Sequence, residues 1–191
     1  MKTSEADILI VPGWSSSGPN HWQSRWERNL PTARRVEQDD WINPDKDAWV
    51  GRLIERIAEA QRPVVLIAHS LGVATVAHAA AKLPAGLVAG AFLVAPADVE
   101  NAATWPVTSG ETFTQNGQGF DPLPISPLGI PAALVASSND PYCTLDRARH
   151  LAAAWGAQFI EAGDVGHINA DSGYGPWPEG LLRLGWFMKQ L

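Results

Sequence analysis

Cysteine is almost missing: Cys143 is the single example in 191 residues. No internal disulfide can form, and a reducing compartment, the cytoplasm, is expected. No apolar run approaches the roughly 18 residues that a membrane span needs. The opening MKTSEADILIVPG places acids ahead of a short apolar stretch, so a secretion signal is not expected. Lysine and arginine number 14 against 20 acids, a net charge of −6. That balance argues against the basic face that nucleic acid or an anionic membrane would require, and neither is expected as a partner. The first glycine-bearing loop, VPGWSSSGPNHW, has neither G-x-G-x-x-G nor a P-loop lysine, which argues against nucleotide binding. His, Cys and carboxylate residues nowhere show metal-ligand spacing, so no metal is expected.

What is abundant is tryptophan and short apolar runs. Nine tryptophans imply a core built on large rings, with those in loops available to wall a pocket. Strand-like runs occur at 7–12, 34–38, 64–68, 90–96, 131–138 and 157–163. Between or after them lie helical patterns at 21–30, 47–61, 72–83, 144–155 and 179–191. In 47–61, Val50, Leu53, Ile54 and Ile57 recur at helical spacing behind Asp47 as a cap. In 179–191, Leu181, Leu184 and Met188 share a face. Strands alternating with helices, and apolar without polar interruption, predict a mainly parallel sheet of about six strands covered on both sides. The expected architecture is a single three-layer α/β/α domain over 1–191. Residues 97–130 break the alternation, rich in proline and glycine, and are expected to form a lid or binding loop.

Chemistry enters at VVLIAHSLG, residues 64–72. A buried strand delivers Ser70 to a turn from which a helix begins at once. This is the context of a nucleophile elbow, small-x-Ser-x-Gly, with Ala68 where glycine is usual. The helix that follows aims N–H groups at the same point, making the Leu71 amide a candidate oxyanion donor. A serine hydroxyl needs a base and an orienting carboxylate. Asp140, in SSNDPYC, follows the fifth strand, and His167, in GDVGHINADSG, follows the sixth. Both therefore lie at the carboxyl edge of the sheet, where ligands bind in such folds. Asp98 is the alternative acid, while Asp140 could instead serve as a helix cap, a task open also to Asn139 or Thr144. Asp164 and Asp171 are expected to shape the loop of His167. His69 is read as packed and His21 as a candidate to line the site. The Trp14 amide, after the Pro-Gly turn, is the second candidate oxyanion donor. Trp14, Trp22, Trp105 and Trp177 are the candidate pocket walls.

The order Ser, Asp, His is that of the α/β-hydrolases. The strings VPGWSSSGPNHWQSRWE, AHSLG, PLPISPLGIPAALVASSNDPYC and WGAQFIEAGDVGHINADSGYGPWPEG resemble, over essentially the whole chain, the small serine hydrolases typified by retinoblastoma-binding protein nine and the bacterial YdeN-like proteins. That resemblance implies a compact α/β-hydrolase without the usual first two antiparallel strands and with little cap. It also implies a Ser70–His167–Asp140 triad, no cofactor, and hydrolysis of carboxylic esters or related acyl compounds. The retinoblastoma association rests on an L-x-C-x-E motif. The only cysteine here lies in PYCTLD, so that partner does not transfer and any protein partner is left open. The expectation is a serine esterase acting on a small or short-chain acyl substrate through an acyl-enzyme. An amidase or peptidase using the same residues, and a non-catalytic binding protein on this fold, are the alternatives.

Overall fold

The computed structural model describes residues 1–101, 107–108, 111–112 and 117–191. Six parallel strands form the central sheet: β1 (Asp7–Val11), β2 (Ala33–Arg35), β3 (Val64–Ser70), β4 (Val88–Pro96), β7 (Ala132–Ala136) and β8 (Gln158–Glu161). Their order is β2-β1-β3-β4-β7-β8. A separate antiparallel pair, β5 (Val107–Thr108) and β6 (Glu111–Thr112), lies between β4 and β7 in sequence. The helices are α1 (Trp22–Asn29), α2 (Lys46–Ala58), α3 (Leu71–Ala79), α4 (Leu145–Trp155) and α5 (Pro178–Met188).

The strand period of two sorts side chains into two cores. On β3, Val64, Leu66 and Ala68 pack with Leu53, Ile57, Leu151 and Trp155 of α2 and α4. Val65 and Ile67 face the other way, onto Trp22 and Trp26 of α1 and Phe187 and Met188 of α5. Residues 64–68 of β3 are fully buried, and burying each of the larger aliphatic chains contributes about 1.5–3 kcal/mol. A strand buried on both faces needs apolar residues in sequence, which is why these runs show no polar alternation.

Several local details depart from the sequence reading. The cap of α2 is Asp45, which accepts the Ala48 N–H at 2.8 Å, whereas Asp47 lies within the first turn and pairs with Lys46 at 3.0 Å. Thr144 caps α4 through the Arg147 N–H, leaving Asp140 free of that task. The buried face of α5 is Gly180, Leu184, Phe187 and Met188, while Leu181 is 42% exposed. Gly180 takes the inward position because the Trp177 ring occupies the space where a Cβ would project. The lid expected over 97–130 has its centre outside the described residues. Its flanks are packed: Val99, Phe120, Leu123 and Leu128 are buried, and the Phe120 carbonyl lies 2.8 Å from Nε2 of His78. No helix among the described residues is long and apolar enough to cross a membrane.

One feature of this sheet positions the site. The chain leaves β1 toward β2 at one edge, then returns on the other side of β1 as β3, so neighbouring strands diverge in direction of winding at β1/β3. A crevice opens at such a switch point, beyond the carboxyl ends of the strands. Here the crevice floor is tight. A Cβ on Gly72 would fall 2.2 Å from the Val11 carbonyl oxygen and 2.6 Å from that of Pro12. Neither is a flexible side-chain end that can yield. Gly72→Ala should therefore destabilise by at least the ~1–3 kcal/mol typical of overpacking, read as a lower urea midpoint. An unchanged midpoint would show that the junction is looser than described.

Candidate active site

Strand β3 runs without a loop into α3, and Ser70 is the junction. Its backbone, φ 56° and ψ −124°, lies in a region that L-residues rarely occupy and that persists only where surroundings enforce it. Those surroundings are glycines. Besides Gly72 under β1, Gly13 packs so closely that its own Cβ would lie 2.7 Å from Ser70 Cβ and 3.1 Å from the Leu71 nitrogen. The serine side chain is thus lifted clear of the sheet while its neighbours remain buried.

The two partners arrive on loops after β7 and β8. His167 Nε2 is 2.9 Å from Ser70 Oγ, and His167 Nδ1 is 2.9 Å from both carboxylate oxygens of Asp140. A carboxylate accepts only, so the imidazole proton sits on Nδ1 and Nε2 presents its lone pair to the serine O–H. The Asp140 side chain is 2% exposed and that of His167 6%. Asp140 also accepts the Tyr142 N–H at 2.9 Å.

The loops are tied to each other by residues to which the sequence alone assigns no such role. Asn139 Oδ1 accepts the Gly166 N–H at 2.7 Å, and Ser137 Oγ accepts the Val165 N–H at 3.0 Å. On the far side of His167, Ser172 Oγ accepts the His167 N–H at 3.1 Å and donates to Asn169. From beneath, His69 Nε2–H donates to the His167 carbonyl at 2.9 Å. The Tyr142 ring stands edge-on to His167, centroids 4.5 Å apart. Burial, then Asp140 and Asp171, raise its phenol above its ordinary value. The density of Ser and Asn in SSND and HINADS is the signal that points to such loop ties.

A cavity of about 340 Å³ opens over Ser70, lined among others by Trp14, His21, Leu71, Tyr142 and Asp171. Leu71 opens α3, where N–H groups have no intrahelical acceptor. The Trp14 ring is fixed by its Nε1–H donating to the Ile42 carbonyl at 2.7 Å. The other expected pocket walls are elsewhere. Trp22 is fully buried, with Nε1–H on the Ile168 carbonyl at 2.8 Å. Trp177, 4% exposed, packs on Trp22 and stacks with Trp26. Both rings belong to the core between α1, α5 and the sheet, where they pack with Trp26, Phe92 and Phe187. Trp105 lies outside the described residues. Asp98 lines the cavity but pairs with Arg147 at 3.4 Å, and Asp164 accepts from the Ser138 hydroxyl. Among the described residues, no three His, Cys, Asp or Glu side chains are grouped as metal ligands.

The protonation of the buried groups can be measured. Burial pushes the Cys143 thiol up to about 12, with Asp98 and Asp140 adding to it. The folded protein should therefore resist iodoacetamide at about pH 8, where a free thiol reacts, and become labelled only on unfolding. Rapid labelling of the native chain would contradict that. Burial holds His69 well below its usual 6.5, the His167 and His21 charges adding. Its unfolded form takes up a proton near pH 6.5, whereas the folded form refuses it. This contribution to stability is complete above 6.5 and is lost as the pH falls further. His69→Gln should flatten the fall in urea midpoint between about pH 7 and pH 5. An equal slope in both proteins would count against it.

A model of the serine hydrolase family matches residues 8–186 of the chain. The structure is similar to that of a protein described as a YdeN-like hydrolase from Pectobacterium atrosepticum. The two are 35% identical, over 98% of this chain and 92% of that one, with a TM-score of 0.83. The ydeN gene product of B. subtilis is 20% identical over 96% of this chain and 99% of that one, with a TM-score of 0.78. An esterase domain from a Rhodothermus marinus protein is 17% identical, covering 96% and 87%, with a TM-score of 0.69. These last two likenesses concern the fold alone. No curated protein sequence matches the chain.

Proposed function

The chain belongs to the serine hydrolase family, and on that footing we propose that it is an esterase that cleaves small acyl esters through a covalent Ser70 intermediate. The observation that carries this reading is the unbroken series of 2.9 Å contacts from Ser70 Oγ through His167 to Asp140. In the first half-reaction His167 Nε2 takes the Ser70 proton as Oγ bonds to the acyl carbon. Asp140 keeps Nδ1 protonated and balances the imidazolium that forms. The carbonyl oxygen gains negative charge beside the Leu71 and Trp14 amides, which act as its donors. His167 then gives its proton to the departing alkoxide, releasing the alcohol. Water, deprotonated by the same nitrogen, attacks the acyl-enzyme, and Ser70 leaves with the proton from His167.

The preference for a small acyl group is supported by the cavity, whose 340 Å³ is near the lower end of ligand sites. Trp14 and Tyr142 close its sides. The neutral state of Tyr142, whose phenol is raised, keeps a further negative charge away from the developing oxyanion.

Treatment with a fluorophosphonate should add one adduct to the wild type, seen by intact mass, and none to Ser70→Ala. Asp140→Asn should keep the fold and lower kcat on ethyl butyrate by about 10³–10⁴ through the wrong imidazole tautomer. An unlabelled, folded wild type, or full turnover by Ser70→Ala, would overturn the assignment.

A further inference from the structure

His21 has a structural task that fixes its chemistry. It caps α1, its Nδ1 accepting the Gln23 backbone N–H at 3.1 Å. The proton of the neutral ring is therefore on Nε2. Among the described residues nothing accepts from that nitrogen. The residue is nevertheless only 6% exposed, and it forms part of the cavity wall together with Ser70 and Leu71. The ring cannot swing away, since it is wedged against His69 and Trp22 with centroids 4.8 and 5.4 Å apart. Burial lowers its pKa to about 3, with His167 and Arg35 contributing. His21 is thus a fixed donor that carries no positive charge at neutral pH.

The remaining charge around the cavity has one sign. Asp98 and Asp171 line it, and no described lysine or arginine does. Arg147 offsets Asp98 from behind; among the described residues, no salt bridge is made by Asp171. By sequence the same bias holds along the carboxyl edge of the sheet. Segments 12–21, 36–45, 97–101, 137–144 and 162–177 hold nine of the twenty acids and none of the fourteen lysines and arginines.

We propose that the cavity selects acyl groups bearing an uncharged oxygen, a hydroxyl or keto group, which accepts a hydrogen bond from His21 Nε2–H, and that it rejects acyl groups ending in a carboxylate. This rests on the esterase reading above and names its substrate class. A plain alkyl chain would seal the cavity and leave the His21 N–H without a partner, which is costly. A terminal carboxylate would meet a donor but no countercharge, next to Asp171, and an unpaired charge is costlier still. A neutral oxygen satisfies the donor without either penalty.

The test compares ethyl butyrate, ethyl 3-hydroxybutyrate and monoethyl succinate by pH-stat. In the wild type, kcat/KM for the hydroxy ester should exceed that for butyrate by about three- to tenfold, the range of one neutral hydrogen bond. The succinate should fall at least about tenfold below butyrate. His21→Asn retains a capping oxygen for the Gln23 N–H but is too short to present a donor in the cavity. In that variant the hydroxy-to-plain ratio should fall toward one, mainly through KM. Absence of the preference in the wild type, its survival in His21→Asn, or ready cleavage of the succinate would each overturn the proposal. Should His21→Asn not fold, the three esters on the wild type decide alone. Fluorophosphonate labelling separates the two readings. Failure to label Ser70 sinks the esterase assignment, whereas labelling without discrimination among the esters sinks only this inference.

Discussion

The contact on which the site depends is between two stretches of backbone, residues 11–13 after β1 and residues 69–72 at the end of β3. Gly72 lies under the Val11 and Pro12 carbonyls, and Gly13 lies against Ser70 and the Leu71 nitrogen. No side chain fits between them. This approach holds Ser70 at a positive φ and packs Gly13 against the Leu71 nitrogen at the start of α3. Strain at one residue is tolerable because the strands on either side are among the best-buried parts of the molecule. Loosening of the junction would release the serine conformation.

The second requirement is that two loops from neighbouring strands, β7 and β8, arrive in register. Their strands pair directly, Ala133 with Gln158 through Ala136 with Glu161, so the sheet sets the distance between the loops. Asn139 and Ser137 then fasten one loop to the other. The neutral histidines complete the support. His69 carries the His167 carbonyl, and its pKa is held down first by burial and then by the neighbouring imidazoles. His21 is buried beside it for a different reason, as the cap of α1, yet it presents a face to the same cavity.

The sequence by itself determined the alternation of strands and helices, the parallel character of the sheet and the strand-end placement of Ser70, Asp140 and His167. It could do so because each is written locally: continuous apolar runs for doubly covered strands, small residues around the serine, and loop residues after each run. The likeness to small serine hydrolases was legible for the same reason, being carried by short strings around those strand ends. Only the tertiary structure decided which tryptophans face the cavity. Trp14 and Trp22 are near neighbours in sequence, but Trp22 follows the His21 cap on the inner face of α1 and joins Trp26 and Trp177 in the core. Helix caps also escaped a local reading, since Asp45 and Asp47 are equally good in kind and only the turn geometry selects Asp45. Pairings across long sequence separations, Asn139 with Gly166 and His69 with His167, depend on strand order. Strand order is fixed by how the whole set of apolar faces packs, a property no single segment contains.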